Sequence, residues 1–222
     1  MNRFRVTERF VSINGEARRA GELSCFIRLA GCNLCCNYCD TRWSCDPDAP
    51  AEELTKEELL SWVLQEGIRN VTLTGGEPLL SPGVRELLLL FDRQETLRVE
   101  VETNGAVSLD LIGGLSDRVT FTMDLKCPGS GMSDRMIWKN TEYLRPVDTV
   151  KCVVSDRRDL DWVREKTEEY KLTEKCVVYI SPVFGRIDPK EIVEYLKEFR
   201  MNEVRMQLQL HKFIWDPGKK GV

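Results

Sequence analysis

The stretch NVTLTGGEPLLSPGVRELLLLFDRQETLRVEVETNG, residues 70–105, contains a strand pattern, a helix pattern and a second strand pattern in succession. The first strand, Asn70–Thr74, ends in the turn TGGEP, and the second is Leu97–Glu102. Between them, SPGVRELLLLFDRQ has apolar residues at helical spacing. A strand, a crossover helix and another strand are typical of a parallel β/α unit, whose ligands bind beyond the carboxyl ends of the strands.

Three more helices are predicted along the 222-residue chain, because TKEELLSWVLQEG, SDRRDLDWVREKTEEY and DPKEIVEYLKEFR also have apolar residues at helical spacing. Helix starts are predicted at Thr55, Ser81 and Asp188, since each is followed by a Glu three residues on or by a Pro in the next position. Helices therefore alternate with strands along most of the chain.

Five more strands are predicted, and the crossovers near 107–114 and 132–146 are too short or irregular for full helices. We therefore expect the α/β class, with an incomplete (partial) TIM-like β/α barrel of parallel strands rather than the closed eight-unit barrel. The five strands are Leu23–Ala30, Val119–Leu125, Thr149–Val154, Val177–Ser181 and Glu203–Leu208.

The composition excludes several classes of protein. The chain is 42% hydrophobic and 31% charged, with a net charge of −4, which is ordinary for an enzyme and does not favour nucleic-acid binding. No apolar run approaches the roughly 18 residues of a membrane span. The opening MNRFRVTERF has charges where a signal peptide is apolar, so we expect a cytoplasmic protein without a membrane or nucleic-acid partner.

The segment CNLCCNYC, residues 32–39, places four of the nine cysteines within eight residues. Structural zinc usually takes two C-x2-C turns separated by a long loop, but here the two pairs abut and the single histidine, His211, is distant in sequence. If Cys35 is left out, Cys32, Cys36 and Cys39 form C-x3-C-x2-C. That spacing predicts an iron–sulfur cluster with one iron free of protein ligands.

The other five cysteines are scattered. Cys25, Cys152 and Cys176 lie in apolar strand patterns, where a thiol behaves as a small hydrophobic group, so we expect them in the core. Cys45 and Cys127 lie in loop-like segments and have no assigned role.

The three spaced cysteines, together with TGGEP at the end of the next strand, resemble the motifs of the radical S-adenosylmethionine (SAM) superfamily. This resemblance implies a [4Fe–4S] cluster whose open iron chelates the methionine amino and carboxylate groups of SAM. The cluster then supplies the electron that cleaves SAM, and the resulting radical takes hydrogen from the substrate. In TGGEP, the glycines allow close backbone approach and the glutamate offers an anion to the methionyl ammonium.

Further motifs resemble the 7-carboxy-7-deazaguanine synthase family, from FVSINGE at 10–16, FIRLAGCNL at 26–34 and CDT at 39–41 to the tail QLHK at 209–212 with Pro217. That family converts 6-carboxy-5,6,7,8-tetrahydropterin to 7-carboxy-7-deazaguanine, on the route to queuosine and related 7-deazapurines. The reaction contracts a ring and loses ammonia, with SAM used catalytically and Mg2+ as a further cofactor.

The resemblance implies a role for individual residues. Thr41 is expected to bind Mg2+, while Glu16 accepts hydrogen bonds from the pterin ring and Arg28 holds its carboxylate. The expected substrate-binding residues are Ile13, Asn14, Gly15, Glu16, Arg28, Thr74, Gln209, His211 and Pro217, with Gln209 and His211 on the last strand. The expected SAM-binding residues are Gly75, Gly76, Glu77, Glu102, Asn104, Asp124, Leu125, Lys126, Ile180, Ser181, Pro182 and Val183.

The resemblance covers residues 10–217, and we expect one radical SAM domain over 1–222. Residues 1–22 are expected to form an N-terminal substrate-binding extension, and residues 203–222 a C-terminal strand and tail that close the active site. A flavodoxin or ferredoxin is the expected reductant, and a homodimer the expected assembly.

The sequence departs from the family at Asn14, where glutamine is usual, and at Ala17, where glycine is usual. Cys35 is an extra thiol beside a ligand, and we expect it to face away from the cluster. DLKCPGSG is closer to one branch of the family than to the forms that have an SPK segment, and the SAM-binding assignment of Lys126 depends on which branch applies. Two alternatives are a glycyl-radical-enzyme activase, which would need a protein substrate, and an electron carrier, which would normally ligate every iron.

Overall fold

The computed structural model describes residues 2–222, which form nine strands and seven α-helices in one sheet-centred architecture. The strands are β1 Arg3–Ile13, β2 Leu23–Leu29, β3 Glu52–Thr55, β4 Asn70–Gly75, β5 Arg98–Thr103, β6 Val119–Leu125, β7 Thr149–Val154, β8 Val177–Pro182 and β9 Val204–Met206. The helices are α1 Arg42–Cys45, α2 Lys56–Glu66, α3 Val84–Asp92, α4 Arg157–Glu169, α5 Leu172–Lys175, α6 Pro189–Glu198 and α7 His211–Ile214.

The strands form a single sheet in the order β3-β1-β2-β4-β5-β6-β7-β8-β9. Strand β1 is antiparallel to both β2 and β3, and every pair from β2–β4 onwards is parallel. Over residues 2–222 the two outer strands, β3 and β9, do not pair with each other, so the sheet does not close. The predicted incomplete barrel of parallel strands is confirmed.

All seven predicted strands and all four predicted helices are present, with small differences at their ends. The crossovers predicted to lack full helices contain only 3-10 turns, Asp110–Ile112, Ser133–Arg135 and Trp138–Glu142. The expected core cysteines are buried, as Cys25, Cys152 and Cys176 are at most 7% exposed.

Capping explains where the helices begin. The helix starts predicted at Thr55 and Asp188 are confirmed, and each of the two residues forms a capping box with a Glu three residues on. The start predicted at Ser81 is wrong, because α3 begins at Val84 after Gly83, whose φ of 82° makes a left-handed turn.

Two strands and one strand end differ from the prediction. Strands β1 and β3 were not predicted, because β1 mixes charged residues with the buried Phe4 and Val6. The last strand was predicted to reach Leu208 but ends at Met206, so His211 is the first residue of α7 rather than part of a strand.

The faces of the central strands determine where polar chemistry can occur. In β5, Val99 and Val101 are buried apolar side chains, while Glu100 and Glu102 point to the opposite side. Thr122 donates a hydrogen bond to Glu100 (2.5 Å) and Thr74 donates one to Glu102 (2.7 Å). One face of the sheet therefore carries a buried polar layer that leads towards the carboxyl ends of the strands.

Among the helices of residues 2–222, none combines the length and the apolar character needed to cross a bilayer.

Candidate active site

A cavity of about 670 Å³ lies at the carboxyl ends of the parallel strands. The ends of β4, β5, β6 and β7 form its wall, and the cysteine-rich loop after β2 forms one side. The turn after β1 and the C-terminal segment complete the lining. The cavity is therefore located where ligands bind in parallel β/α folds.

The cysteine loop is fixed by backbone hydrogen bonds to α1. The Gly31 amide donates to the Ser44 carbonyl (2.8 Å), and the Cys32 amide donates to the Cys45 carbonyl (3.0 Å). The Cys39 amide donates to the Cys36 carbonyl (3.3 Å), which forms a tight turn between the last two cysteines of the motif. The loop can therefore present several sulfurs from very few residues.

The cysteines of the motif differ in where they lie. Cys32, Cys36 and Cys39 all line the cavity, whereas Cys35 is exposed and is not among the described residues that line it. Hydrogen bonding to the thiol of Cys45 lowers the pKa of both Cys32 and Cys39 to about 6, which favours their thiolate forms. Burial raises the pKa of Cys36.

Within the described part of the chain, no group of three or more His, Cys, Asp or Glu side chains is arranged to hold a metal ion.

The turn after β4 packs directly on the cysteine loop. A Cβ on Gly76 would lie 2.1 Å from the Gly31 carbonyl oxygen, so only glycine fits there. The Glu77 amide donates to the same carbonyl (2.8 Å). The two glycines of TGGEP therefore bring the end of β4 against the loop that carries the cysteines.

The side chain of Glu77 is fully buried and lies outside the set of described residues that line the cavity. Its Oε1 accepts hydrogen bonds from the Leu79 amide (3.0 Å) and the Thr103 hydroxyl (2.9 Å), and its Oε2 accepts one from the Asn104 amide (2.6 Å). Burial raises the pKa of Glu77 to about 7. Glu77 therefore joins the ends of β4 and β5.

The two ends of the chain meet at the cavity. The Leu210 amide donates to the Gly15 carbonyl (3.0 Å), and a Cβ on Gly15 would lie 2.3 Å from Nδ1 of His211. Gln207 makes two hydrogen bonds with the backbone of Ala17. Burial lowers the pKa of His211, which leaves the imidazole neutral at pH 7. The motifs SINGE and QLHK, far apart in sequence, are therefore neighbours.

Glu16 lies in a charged cluster in the cavity wall. Its Oε2 accepts hydrogen bonds from Nζ of Lys151 (3.0 Å) and Nε2 of Gln209 (3.1 Å), while over residues 2–222 its buried Oε1 has no partner. Lys151 also lies 3.7 Å from Asp124, which forms an ion pair with Lys126 (2.9 Å). An acceptor oxygen without a partner suits a ligand that brings N–H donors.

Arg28 and Thr41 lie at other points of the wall. Nε of Arg28 donates to Oε1 of Glu8 (2.7 Å), and both side chains are at most 17% exposed. This bond fixes the plane of the guanidinium group and leaves its terminal nitrogens for an anion. Thr41 is the N-cap residue of α1 but makes no capping hydrogen bond within the described residues, and its hydroxyl lies 3.8 Å from Sγ of Cys39.

Most of the predicted site residues line this cavity. Those that do are Ile13, Gly15, Glu16, Arg28, Cys32, Cys36, Cys39, Thr41, Thr74, Gly75, Gly76, Glu102, Asn104, Asp124, Lys126, Val183, Gln209, His211 and Pro217. Over residues 2–222, the predicted residues outside the lining are Asn14, Glu77, Leu125, Ile180, Ser181 and Pro182.

Asn14 and Ser181 are both buried, at 3% and 0% exposure. Asn14 accepts a hydrogen bond from the hydroxyl of Thr72 (2.7 Å) and so faces the interior of the sheet. The hydroxyl of Ser181 has no partner among the side chains and backbone groups of residues 2–222.

Several residues of the cavity were not predicted from the sequence. Lys151 was missed, although a lone lysine within the apolar strand TVKCVV is a signal that could have found it. Tyr38 donates from its hydroxyl to the Val153 carbonyl (3.0 Å), and Lys212 forms an ion pair with Asp40 (2.7 Å). These contacts tie the cysteine loop and the C-terminal segment to the wall.

The chain matches a family model described as the radical SAM superfamily over residues 26–128. It is 49% identical over 219 residues to a protein of Clostridium acetobutylicum named 7-carboxy-7-deazaguanine synthase, covering 99% of each chain. A protein of Chlorobaculum tepidum with the same name is 37% identical over 221 residues, covering 98% of this chain and 96% of that protein.

Among solved structures, the fold is similar to that of a crystal structure of QueE from Escherichia coli, with a TM-score of 0.73. The match covers 94% of this chain and 95% of that one, at 21% sequence identity. At this identity the likeness concerns the fold alone, and it agrees with the open β/α barrel described above.

Proposed function

We propose a function that follows from family membership: this chain belongs to the 7-carboxy-7-deazaguanine synthase family of the radical SAM superfamily. It converts 6-carboxy-5,6,7,8-tetrahydropterin to 7-carboxy-7-deazaguanine by hydrogen abstraction, ring contraction and loss of ammonia, in 7-deazapurine biosynthesis. The family uses a [4Fe–4S] cluster and SAM.

One observation carries the proposal. A single cavity has three cysteines on one side and also contains Glu16 and the guanidinium group of Arg28. Within residues 2–222, one carboxylate oxygen of Glu16 has no hydrogen-bond partner. The first feature suits a cluster, and the other two suit a small molecule with N–H donors and a carboxylate. A pterin carboxylate has both.

The residues of the loop fit the cluster. Within residues 2–222 these three cysteines do not converge on a single ion, but Cys32, Cys36 and Cys39 would each bind a different iron of a cluster and would leave one iron for SAM. When bound, the cluster supplies the electron that cleaves SAM to a hydrogen-abstracting radical. Gly76 keeps the end of β4 against this loop, and we assign Gly75 and Gly76 to the methionyl end of SAM.

Asp124, Lys126 and Val183 extend the proposed SAM site along the wall, together with Glu102 and Asn104. Glu77 acts indirectly, by holding the ends of β4 and β5 together.

On the substrate side, Oε1 of Glu16 accepts N–H groups of the pterin ring, because its other oxygen is held by Lys151 and Gln209. Arg28, oriented by Glu8, binds the substrate carboxylate through its terminal nitrogens. His211 packs against Gly15 at the same side of the cavity, and Thr74 lines it from β4.

Thr41 would offer its hydroxyl oxygen to Mg2+ and would leave the remaining positions of the ion to substrate oxygens and water. Support for this site is the position of the Thr41 hydroxyl, which within residues 2–222 makes no capping hydrogen bond and contacts the last cysteine of the motif. Residues 1–22 and 203–222 form the substrate-binding and closing ends of a single domain, consistent with the contact between Gly15 and Leu210.

An acidic flavodoxin or ferredoxin reduces the cluster. Support comes from the exposed basic residues Arg186, Lys219 and Lys220, which line the cavity near the cysteine loop. We also propose that the enzyme is cytoplasmic and forms a homodimer, as the resemblance to its family implies.

The decisive assay uses protein reconstituted anaerobically with iron and sulfide, then reduced and supplied with SAM, Mg2+ and carboxytetrahydropterin. We expect 7-carboxy-7-deazaguanine, identified by mass, and no product from Cys36→Ala protein. If 5′-deoxyadenosine forms without the 7-deazapurine, the substrate assignment fails while SAM cleavage stands. That outcome would favour the activase, whose substrate is a protein.

A further inference from the structure

Cys45, the last residue of α1, is a fourth cysteine of the same cavity. Its Sγ lies 3.8 Å from Sγ of Cys39 and 3.6 Å from the backbone carbonyl oxygen of Thr41, so its thiol can donate to either acceptor. Its carbonyl accepts the Cys32 amide (3.0 Å), which fixes the distance between the two backbones. Cys45 is therefore joined to the first cysteine of the motif through the backbone and contacts the last one through its sulfur.

The other donors around these sulfurs each serve one cysteine. Sγ of Cys32 accepts hydrogen bonds from the Leu34 amide (3.4 Å) and from Nδ2 of Asn104 (3.6 Å). The Thr41 hydroxyl contacts only Cys39 among the cysteines of the motif in residues 2–222. Cys45 thus adds a thiol beside Cys39, whose sulfur the proposed function assigns as a ligand.

The position of Cys45 suits a hydrogen-bond donor better than a fourth ligand. A fourth ligand has to reach a separate corner of the cube, whereas the thiol of Cys45 lies in contact with a sulfur that would bind another corner. A free cysteine thiol keeps its proton at pH 7 and can donate it weakly to an anionic sulfur.

We propose that Cys45 is a positioning residue whose thiol donates a hydrogen bond to Sγ of the cluster ligand Cys39 and thereby raises the reduction potential of the cluster. This inference rests on the proposed function, which places the cluster on Cys32, Cys36 and Cys39. Reduction adds negative charge to the cluster and its sulfurs, so a donor stabilises the reduced form more than the oxidised form. Cys45 therefore eases the electron uptake that precedes SAM cleavage.

The test is a redox titration of the anaerobically reconstituted holoenzyme, followed by electron paramagnetic resonance, with neither SAM nor pterin present. At a fixed potential, Cys45→Ala should lower the ratio of reduced to oxidised cluster by about twofold to tenfold, the effect of losing one hydrogen bond. Cys45→Ser keeps a donor and should stay near the wild-type ratio. Cys35→Ala, at the exposed cysteine, is the matched control and should be unchanged.

Cys45→Val removes the donor while filling more of the space, and it replaces the alanine variant if that protein does not assemble a cluster. A wild-type ratio in a donor-free variant that holds four irons would overturn the inference. A three-iron cluster in that variant, where wild type prepared in parallel holds four irons, would also overturn it, because Cys45 would then be a ligand. The titration contains no pterin, so failure to make 7-carboxy-7-deazaguanine would refute the proposed function without affecting this result.

Discussion

The turn after β1 and the turn after β4 each carry a glutamate that the sequence assigned to a ligand, yet the two carboxylates are used differently. Glu77, after β4, has both oxygens occupied by Leu79, Thr103 and Asn104. Glu16, after β1, has one oxygen occupied, and within residues 2–222 the other has no partner.

The difference lies in where the hydrogen-bond donors come from. A buried carboxylate whose acceptors are all used by its own chain holds structure together, and its removal should affect stability. A carboxylate that keeps an acceptor free beside a cavity is available to a ligand, and its removal should affect binding and turnover. We therefore expect a Glu→Gln substitution to affect mainly stability in the turn after β4, and mainly binding and turnover in the turn after β1.

The largest effect is expected for Glu16→Gln. The amide presents a donor where the pterin ring also presents donors, so we expect kcat/KM for 7-carboxy-7-deazaguanine formation to fall by about 100- to 1000-fold. Product formation at saturating SAM measures this effect. Cleavage of SAM without pterin serves as the control and should remain near the wild-type rate. A variant with wild-type kcat/KM would show that Glu16 does not bind the substrate.

At pH 8, where the carboxylate is ionised, Glu77→Gln should instead lower the free energy of unfolding by about 2–3 kcal/mol. The amide can accept only at its oxygen, so the bond from either Asn104 or the Leu79–Thr103 pair is lost inside the protein. Urea denaturation compared with wild type gives the value. If the stability is unchanged while SAM binding is lost, Glu77 contacts SAM, and its carboxylate then does not differ in role from that of Glu16.

A third test concerns pH, because burial raises the pKa of Glu77 and of Glu100 to about 7, from 4.5. A raised pKa in the folded state means that folding takes up a proton. The contribution of each of these carboxyl groups to the stability of the folded state is thus complete below about pH 4.5 and is lost as the pH rises through about 7.

Between pH 5 and pH 8 we expect wild-type protein to lose about 2 kcal/mol more stability than Glu100→Gln. The variant keeps an acceptor for Thr122 and does not ionise. Urea midpoints across this range measure the difference. Parallel pH profiles of the two proteins would show that Glu100 does not titrate in the folded state.

The smallest effect is expected for Thr41→Ala, in the cavity lining beside the cysteine motif. Loss of one neutral oxygen ligand should raise the Mg2+ concentration for half-maximal activity by about threefold to tenfold, while substrate oxygens and water keep the ion in place. Activity as a function of Mg2+ concentration measures this. Thr55→Ala, at a helix cap remote from the cavity, is the control. An identical Mg2+ dependence in the wild type, Thr41→Ala and Thr55→Ala proteins would exclude Thr41 as a ligand.

The fold was predictable because its parallel strands are short β-branched runs and its main helices carry capping signals. Strand β1 escaped prediction because charged residues such as Glu8 and Arg9 interrupt its apolar pattern, and pairing on both sides stabilises it instead. The start of α3 was predicted wrongly at Ser81, because a left-handed turn at Gly83 separates Ser81 from the helix.

The candidate site was predictable where its parts are adjacent in sequence, as in the cysteine motif. The contact between Glu16 and Lys151 joins residues 135 positions apart, and only the strand order brings them together. The occupied carboxylate of Glu77 depends on Thr103 and Asn104 from the end of β5. Such partners come from topology, which local sequence patterns do not contain.

The central claim is that this cavity brings a pterin carboxylate to the radical derived from SAM. The most direct measurement uses carboxytetrahydropterin deuterated at its non-exchangeable ring carbons, with reconstituted, reduced protein and Mg2+, and follows the label by mass spectrometry. We predict that deuterium appears in the 5′-deoxyadenosyl group of SAM as 7-carboxy-7-deazaguanine forms. Product formation with no deuterium in SAM or 5′-deoxyadenosine, or label transfer with no 7-deazapurine, would contradict the account.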